Sequence, residues 1–167
     1  MDIFEIIRTR RSIRRFTEEP VPDEVIDRII EAGIWAPSGL NNQPWKFAVI
    51  RDKELKEKLA GLTRYSATVL SADVLIAVFL DHSLSYDRTK DAQAIGACIQ
   101  NMLLSIHSMG LGAVWLGQIL ENRDRVLQLV EGPEDFELMA VIALGHPASK
   151  GGEGSRREPE QSIFFRK

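Results

Sequence analysis

The spacing of apolar residues predicts five helices along the chain. Apolar positions recur three and four residues apart, the period that places side chains on one face of a helix. The predicted helices are residues 3–9, 22–37, 52–60, 87–109 and 123–130. In the second of them Pro22 lies in the first turn, where proline is tolerated, and Pro37 ends the helix.

The longest predicted helix, 87–109, carries apolar residues on more than one face. Gly110 follows it, and glycine is the residue type that most often terminates a helix. Ala94, Gly96 and Ala97 lie on a second face, where their small side chains allow another helix to approach closely. We therefore expect this helix either at the centre of the core or shared with a partner chain.

Four strongly apolar runs predict β-strands, at residues 46–51, 72–80, 111–116 and 136–144. The second run is almost uninterrupted, which predicts a strand that is buried on both faces of its sheet. Helices and strands are interspersed without a linker, so residues 1–167 are predicted to form one layered α+β domain. Residues 145–167 are glycine-rich and basic and end near Phe164 and Phe165, so we expect this tail to dock on a partner subunit.

Composition and charge exclude several functional classes. The formal net charge of -3 and the sequence pI of about 5.7 argue against a general nucleic-acid binder. The single cysteine, Cys98, excludes an intrachain disulfide and a cysteine-based metal site, and the histidines show no metal-ligand spacing. The chain opens on acidic residues, unlike a signal peptide, and its apolar run at 74–80 is too short to span a bilayer. We expect a cytoplasmic protein with no membrane partner and no metal.

A cluster of arginines occupies residues 10–16 in this otherwise acidic chain. Such a cluster is costly in self-repulsion unless an anion lies against it. Arginine offers forked donors that match phosphate oxygens, and Ser12 adds a hydroxyl donor. The cluster indicates a phosphate or another anion, although a solvated basic turn remains an alternative.

Two further segments suggest a flat ligand. In the polar loop within residues 36–45, the amides of Asn41 and Gln43 present donors and acceptors that suit the edge of a heteroaromatic ring. In residues 110–117, three glycines surround a strand and allow close backbone approach to such a ligand. Each segment alone also fits an ordinary turn, and a second basic patch at 154–159 alone fits a solvated tail.

Other polar residues have structural interpretations. His107 is expected to be a surface or hydrogen-bonded histidine, and Cys98 a small core residue. Asp87 and Asp91 have the position of charges at the start of a helix. The sequence shows no nucleophile elbow, Walker loop or pair of catalytic carboxylates.

The order of these motifs resembles the FMN-dependent nitroreductase family over nearly the whole chain. The motifs are Arg-Arg-Ser-x-Arg-x-Phe, Ala-Pro-Ser-x-x-Asn-x-Gln-Pro-Trp, Gly-Leu-Gly-x-x-Trp-x-Gly, Leu-Gly-His-Pro and a late Arg-x-Pro. The resemblance implies a sandwich with a central mixed β-sheet flanked by helices. It also implies an intertwined homodimer with two FMN molecules at the interface, each touched by both chains. NADH or NADPH would reduce the flavin, and a flat acceptor such as a nitroaromatic or a quinone would reoxidise it by a ping-pong mechanism.

The resemblance also assigns residues to the cofactor. It implies that the phosphate and ribityl chain are held by Arg10, Arg11 and Ser12, with Arg157 reaching the same phosphate and Arg156 beside it. Arg14 would lie near the flavin N1 and O2 edge. The other subunit's FMN would contact Pro37, Ser38 and Asn41, with Gln43 nearby, and the backbone at Leu116 and Gly117 would face flavin N5. Because the cofactor performs the redox step, no catalytic side chain is expected.

This chain is short for the family, since little sequence separates Gln43 from the long helix. Larger members carry an insertion there that roofs the flavin, so a thin roof is expected here. Two alternatives remain open. One is a specialised branch that performs dehalogenation, flavin breakdown or heterocycle oxidation, and the other is a non-catalytic protein that binds or senses FMN.

Overall fold

The structure, a computed structural model, describes residues 2–167 and contains six α-helices and four β-strands within them. The helices are α1 (Ile3–Thr9), α2 (Asp23–Ile34), α3 (Lys53–Ala60), α4 (Ser66–Ser71), α5 (Arg88–Ser108) and α6 (Arg123–Leu129). The strands are β1 (Trp45–Ile50), β2 (Val74–Asp81), β3 (Gly112–Leu116) and β4 (Phe136–Gly145). Short 3-10 turns cover Gly39–Asn41, Gln118–Asn122 and Pro159–Ser162. The five predicted helices and four predicted strands are confirmed, with ends that differ by a few residues.

The helix that the sequence failed to predict is α4. Its six residues make less than two turns, which is too short for an apolar period to be recognised. Tertiary contacts determine it instead, because Thr68 and Val69 are buried against the rest of the chain.

The four strands form one sheet in the order β1-β2-β4-β3. Each neighbouring pair is antiparallel, with Trp45 opposite Leu80 and Gly112 opposite Gly145. The expected mixed sheet is therefore wrong for these strands, and the parallel pairing within residues 2–167 is a single bridge between Ser12 and Ala113. The reason is the strand order. The crossover through α5 makes β2 and β3 run in the same direction, but β4 lies between them and opposes both.

The sheet separates two apolar layers, and alternate residues of β2 face one or the other. Val74, Ile76, Val78 and Leu80 pack with α2 and α5, whereas the residues between them pack with α3, α4 and α6. All eight residues of β2 are buried, as its uninterrupted apolar run predicts. The α+β layered architecture is confirmed.

The long helix α5 lies at the centre of one layer. It packs tightly against α2 at Gly33, where an added Cβ would lie 2.8 Å from Met102 and 3.1 Å from Cys98. Burial raises the pKa of the Cys98 thiol to about 12, in agreement with its predicted place in the core. Gly96, on the face expected to meet another helix, has no atom within 4 Å of the position its Cβ would take. No helix within residues 2–167 combines the length and apolar character needed to cross a bilayer.

Candidate functional site

The arginine cluster leaves α1 and crosses to the end of the sheet. The Ile13 N–H donates to the Ala113 carbonyl of β3 at 2.9 Å, and Phe16 pairs with Pro147 just beyond β4. The Ala148 N–H in turn donates to the Arg15 carbonyl at 3.0 Å. These backbone bonds fix residues 12–16 against both strands, so the neighbouring arginine side chains project from a rigid base.

Two glycines paired across β3 and β4 allow this close packing. An added Cβ at Gly112 would lie 2.8 Å from the Ile13 Cβ, and one at Gly145 would lie 3.2 Å from the Phe16 Cβ. The expectation that the 110–117 glycines serve a flat ligand is therefore wrong for Gly112, which serves the arginine segment. Gly110, with φ +78°, ends α5 as predicted.

Five arginines line a cleft of about 790 Å³ between α1 and the C-terminal segment. They are Arg8, Arg10, Arg11, Arg156 and Arg157, and the one carboxylate among the lining residues is Glu158. Partial burial lowers the pKa of Arg10, and the positive charges of Arg156 and Arg11 lower it further. The cleft therefore concentrates positive charge that side chains within residues 2–167 do not neutralise, and an anion is its natural ligand.

Arg11 differs from the other arginines because backbone carbonyls occupy its guanidinium. It donates to the carbonyls of Arg8 and Arg10, both at 2.8 Å, and to that of Gly152 at 3.1 Å. An added Cβ at Gly154 would clash with the same guanidinium. Arg11 thus holds the glycine-rich tail against the cleft, a role that the sequence did not indicate.

The two late arginines of the cleft also differ from each other. Arg156 donates to the neighbouring Ser155 carbonyl at 2.6 Å, and its charge is the one that acts on Arg10. Arg157 makes no side-chain hydrogen bond or salt bridge within residues 2–167, so its donors stay available. Both side chains line the cleft.

The 38–43 loop has an unusual backbone. Leu40, Asn41 and Gln43 have φ values of +55°, +55° and +47°, in the left-handed region that residues other than glycine seldom adopt. The Gln43 N–H donates to the Ser38 hydroxyl at 3.0 Å, and the Asn42 side chain anchors the loop to α5. Such backbone strain persists where the surrounding structure enforces it, and it is common at ligand sites.

Pro37 and Ser38 line a second cavity, of about 280 Å³, together with Tyr86 and Lys90. The Lys90 Nζ lies 5.1 Å from the centroid of the Tyr86 ring, a cation–π contact. This cavity is separate from the arginine cleft. A single chain therefore does not bring Ser38 and Arg10 into one site.

The remaining predicted site residues line neither of these two cavities. Ser12 is fixed by its bridge to Ala113, and Arg14 is exposed and forms no salt bridge within residues 2–167. Leu116 is buried at the end of β3, whereas Gly117 beside it is exposed, with open space at the position of a Cβ. Asn41 and Gln43 are exposed at the loop surface.

His107 lies at a third cavity, of about 740 Å³, between the ends of α1 and α5 and the tail. Its Nε2 is 2.8 Å from the Thr9 hydroxyl, and that hydroxyl donates to the Glu5 carbonyl. Burial lowers the pKa of His107, as do the charges of Arg10 and Arg11. The prediction of a hydrogen-bonded histidine is confirmed, and His107 lies close enough to Arg10 and Arg11 for their charges to act on it.

Sequence reasoning missed the role of Asp91, which it interpreted as a charge at a helix start. The side chain is fully buried and accepts four hydrogen bonds. A signal was available in the sequence, because Asp91 lies four residues before Ile95 on the apolar face of α5. A carboxylate on such a face needs dedicated donors.

Comparisons with known proteins extend this description. A family model described as the nitroreductase family matches residues 7–71 and 61–146. A protein of Methanothermobacter thermautotrophicus, provisionally named NADH dehydrogenase/NAD(P)H nitroreductase, is 40% identical over 163 residues, covering 96% of this chain and 85% of the relative.

Two solved structures share the fold. A protein of Desulfovibrio desulfuricans, assigned as a nitroreductase and solved in complex with FMN, has a TM-score of 0.95 and 47% identity, covering 100% of this chain and 98% of that one. NADPH:FMN oxidoreductase from Vibrio harveyi, complexed with NAD+, has a TM-score of 0.90 and 28% identity, covering 99% of this chain and 77% of that one.

Proposed function

The chain belongs to the nitroreductase family, and from that premise we propose that it is an FMN-dependent oxidoreductase. NADH or NADPH serves as the reductant, and flat acceptors such as nitroaromatics or quinones receive the electrons. The observation that carries the proposal is the arginine cleft, where positive charge is concentrated and side chains do not neutralise it. Related proteins indicate which cofactor binds, because one was solved in complex with FMN and another is named NADPH:FMN oxidoreductase.

The residues present in the cleft fit FMN. The FMN phosphate carries up to two negative charges, and five arginines against one glutamate exceed that demand. The cleft volume of about 790 Å³ lies within the usual range for small-molecule sites. A bound anion would stabilise the charged form of Arg10 in particular, because burial and neighbouring positive charges disfavour that form in the free protein.

We assign the phosphate and ribityl chain to Arg10, Arg11 and Ser12, and the late contact to Arg157, with Arg156 beside it. The donors of Arg157 are free, whereas those of Arg11 are partly engaged, so Arg157 and Arg10 carry most of the phosphate affinity. Arg14 would place a positive charge beside the ring, where it would stabilise negative charge at the N1 and O2 edge. The backbone at Leu116 and Gly117 would border the reactive N5 edge.

When bound, FMN supplies the redox chemistry, taking a hydride from NADH or NADPH and passing the electrons to the acceptor at the same site. The protein binds and orients the ring and sets the charge around it. No side chain of the proposed site is required as an acid or base, because water can exchange protons with an open site. The two substrates use one site in turn, which is a ping-pong mechanism.

The proposed site needs a homodimer. Ser38 and Pro37 line a cavity apart from the arginine cleft, so we propose that they contact the flavin held by the partner subunit. Asn41 and Gln43 would lie at the edge of that flavin. The C-terminal tail supports the same arrangement, since Phe164 is fully exposed and Phe165 is 69% exposed. We propose that the tail docks on the partner subunit and that the dimer works in the cytoplasm, where NADH and NADPH are formed.

Two measurements test this proposal. Sedimentation equilibrium is expected to give a dimer, and an FMN-bound monomer at micromolar concentration contradicts the shared site. Binding of FMN and of riboflavin, measured by flavin fluorescence, tests the cleft. Two charge-assisted hydrogen bonds to phosphate favour FMN by about 100-fold or more. Equal affinities for FMN and riboflavin would contradict the assignment of the phosphate to the arginine cleft.

A further inference from the structure

Asp91 is a buried carboxylate whose partners are all neutral donors. Oδ2 accepts from the Ser85 hydroxyl at 2.6 Å and from the N–H groups of Tyr86 and Asp87, both at 3.1 Å. Oδ1 accepts from the Asn42 side-chain amide at 2.7 Å. Burial raises the pKa of Asp91, but these hydrogen bonds together lower it by more, so the pKa lies below its ordinary value and the charged form is favoured. One side chain thus connects two loops that are distant in sequence.

The first of these loops is the strained 38–43 loop. The two amide hydrogens of Asn42 are both used, one on Asp91 and one on the Leu84 carbonyl at 3.0 Å. This orientation leaves the Asn42 Oδ1 buried without a partner. An unpaired buried acceptor is unfavourable, so this orientation of Asn42 persists because its two donor bonds, which tether the loop to Asp91 and Leu84, outweigh that cost.

The second loop is the turn that begins α5 and carries Tyr86. The Tyr86 N–H donates to Asp91, and the Tyr86 ring and hydroxyl occupy the position that a Cβ on Gly39 would take. Tyr86 therefore packs directly on the 38–43 loop, and both loops line the cavity of about 280 Å³ that contains Ser38. The hydrogen bonds of Asp91 set the relative position of the two walls of that cavity.

We propose that Asp91 is a positioning residue for the flavin site, acting through Asn42 and Tyr86 without touching the cofactor. It holds the 38–43 loop in its left-handed conformation and holds Tyr86 against that loop. The cavity that contains Ser38 is thereby formed before the partner subunit's flavin binds. The inference rests on the proposed function, because it assigns the loop to the flavin. It predicts that loosening the tether weakens flavin binding and acceptor recognition while the fold survives.

Two alanine variants separate this role from plain stabilisation. Asn42→Ala removes the bond that ties the loop to Asp91, whereas Ser85→Ala removes a bond to the same carboxylate from outside that loop. Each variant loses one hydrogen bond to the Asp91 carboxylate, and Asn42→Ala also loses the bond to the Leu84 carbonyl. Both melting temperatures should therefore fall, that of Asn42→Ala by more. Asn42→Ala is expected to raise the FMN Kd and the KM for a quinone acceptor by about tenfold, and Ser85→Ala by less than about twofold.

A third variant, Asn42→Asp, gives a readout that a structural role would not produce. Its carboxylate faces that of Asp91, and the pair can share a proton at low pH. The FMN Kd of Asn42→Asp, relative to wild type at each pH, should therefore recover as the pH falls from 8 to about 5. The ratio to wild type cancels the effect of pH on the FMN phosphate. The charged groups around the pair are the same in both proteins, namely Asp87 before α5, Arg88 and Lys90 on α5, and the Lys46–Asp81 pair.

The outcomes are distinct. Wild-type protein that binds no FMN overturns the proposed function and this inference with it. FMN binding by wild type, with equal Kd and KM values for Asn42→Ala and Ser85→Ala, overturns the inference alone. If Asn42→Ala does not fold, Asn42→Asp decides, and a Kd ratio that is constant with pH overturns the inference. A weakened Asn42→Ala beside a nearly unchanged Ser85→Ala, or acid recovery of Asn42→Asp, supports it.

Discussion

Replacing Arg10 with methionine should change the stability of the free protein and its affinity for FMN in opposite directions. Arg10 has Arg156 and Arg11 as charged neighbours and forms no salt bridge within residues 2–167. Methionine keeps most of the apolar stem and removes the charge. In the free protein, relief of like-charge repulsion at a partly exposed site contributes a few tenths of a kcal/mol to about 1 kcal/mol. For a chain of 167 residues, this raises the melting temperature by up to about 4 °C.

The effect of Arg10→Met on the cofactor should be larger and opposite. A hydrogen bond from a guanidinium to a phosphate is worth about 1.5–3 kcal/mol, which converts to a rise in FMN Kd of about 10- to 150-fold. At a flavin concentration of about 1,000 times the wild-type Kd, FMN stabilises the wild type by about 4 kcal/mol. A variant that binds about 100-fold more weakly would gain only about 1.4 kcal/mol under the same conditions.

Thermal melts with and without FMN, together with a fluorescence titration of FMN, measure both effects. Arg15→Met is the matched control, because it makes the same change in net charge on an exposed side chain of the same segment that does not line the cleft. Its FMN Kd should stay within about twofold of wild type. The reasoning is refuted if the two variants weaken FMN binding equally. It is also refuted if Arg10→Met destabilises the free protein by more than about 2 kcal/mol, since Arg10 would then be a structural residue.

Two further predictions concern the surroundings of the cleft. The pKa of His107 is lowered by burial and by Arg10 and Arg11, so stability of the free protein should decrease as the pH falls below the ordinary value near 6.5. Because FMN phosphate neutralises those arginines, the NMR titration of the His107 ring should move to higher pH when FMN binds, and an unchanged titration would place the phosphate elsewhere. Gly112→Ala should lower stability by about 1–3 kcal/mol and weaken FMN binding, because its Cβ would lie 2.8 Å from Ile13. Gly61→Ala, whose Cβ would make an ordinary contact at 3.4 Å, is its control, and equal effects of the two on thermal melts would contradict this explanation.

The elements of the fold were largely predictable because they depend on local periodicity. The uninterrupted apolar run of β2 predicted burial on both faces, and Gly110 predicted the end of α5. Strand order is not a local property. The insertion of β4 between β2 and β3, which makes the sheet antiparallel, follows from packing over the whole chain.

The candidate site was predictable in part, for a similar reason. Motif order indicated the arginine cluster and the 38–43 loop, because side-chain chemistry is visible in the sequence. The tertiary roles of the same residues were not visible. Arg11 holds Gly152, and Gly112 makes room for Ile13. Each role depends on a contact between segments that the sequence does not place side by side.

The central claim is that this chain uses bound FMN to oxidise NADH or NADPH. The visible absorption spectrum of the purified protein, recorded under argon as NADH and then NADPH are added, tests it most directly. The account predicts a flavin spectrum, present as isolated or after reconstitution with FMN, that bleaches with at least one of the two nucleotides and returns when a quinone is added. A flavin spectrum that neither nucleotide bleaches, or a protein that cannot be reconstituted with FMN, would contradict it.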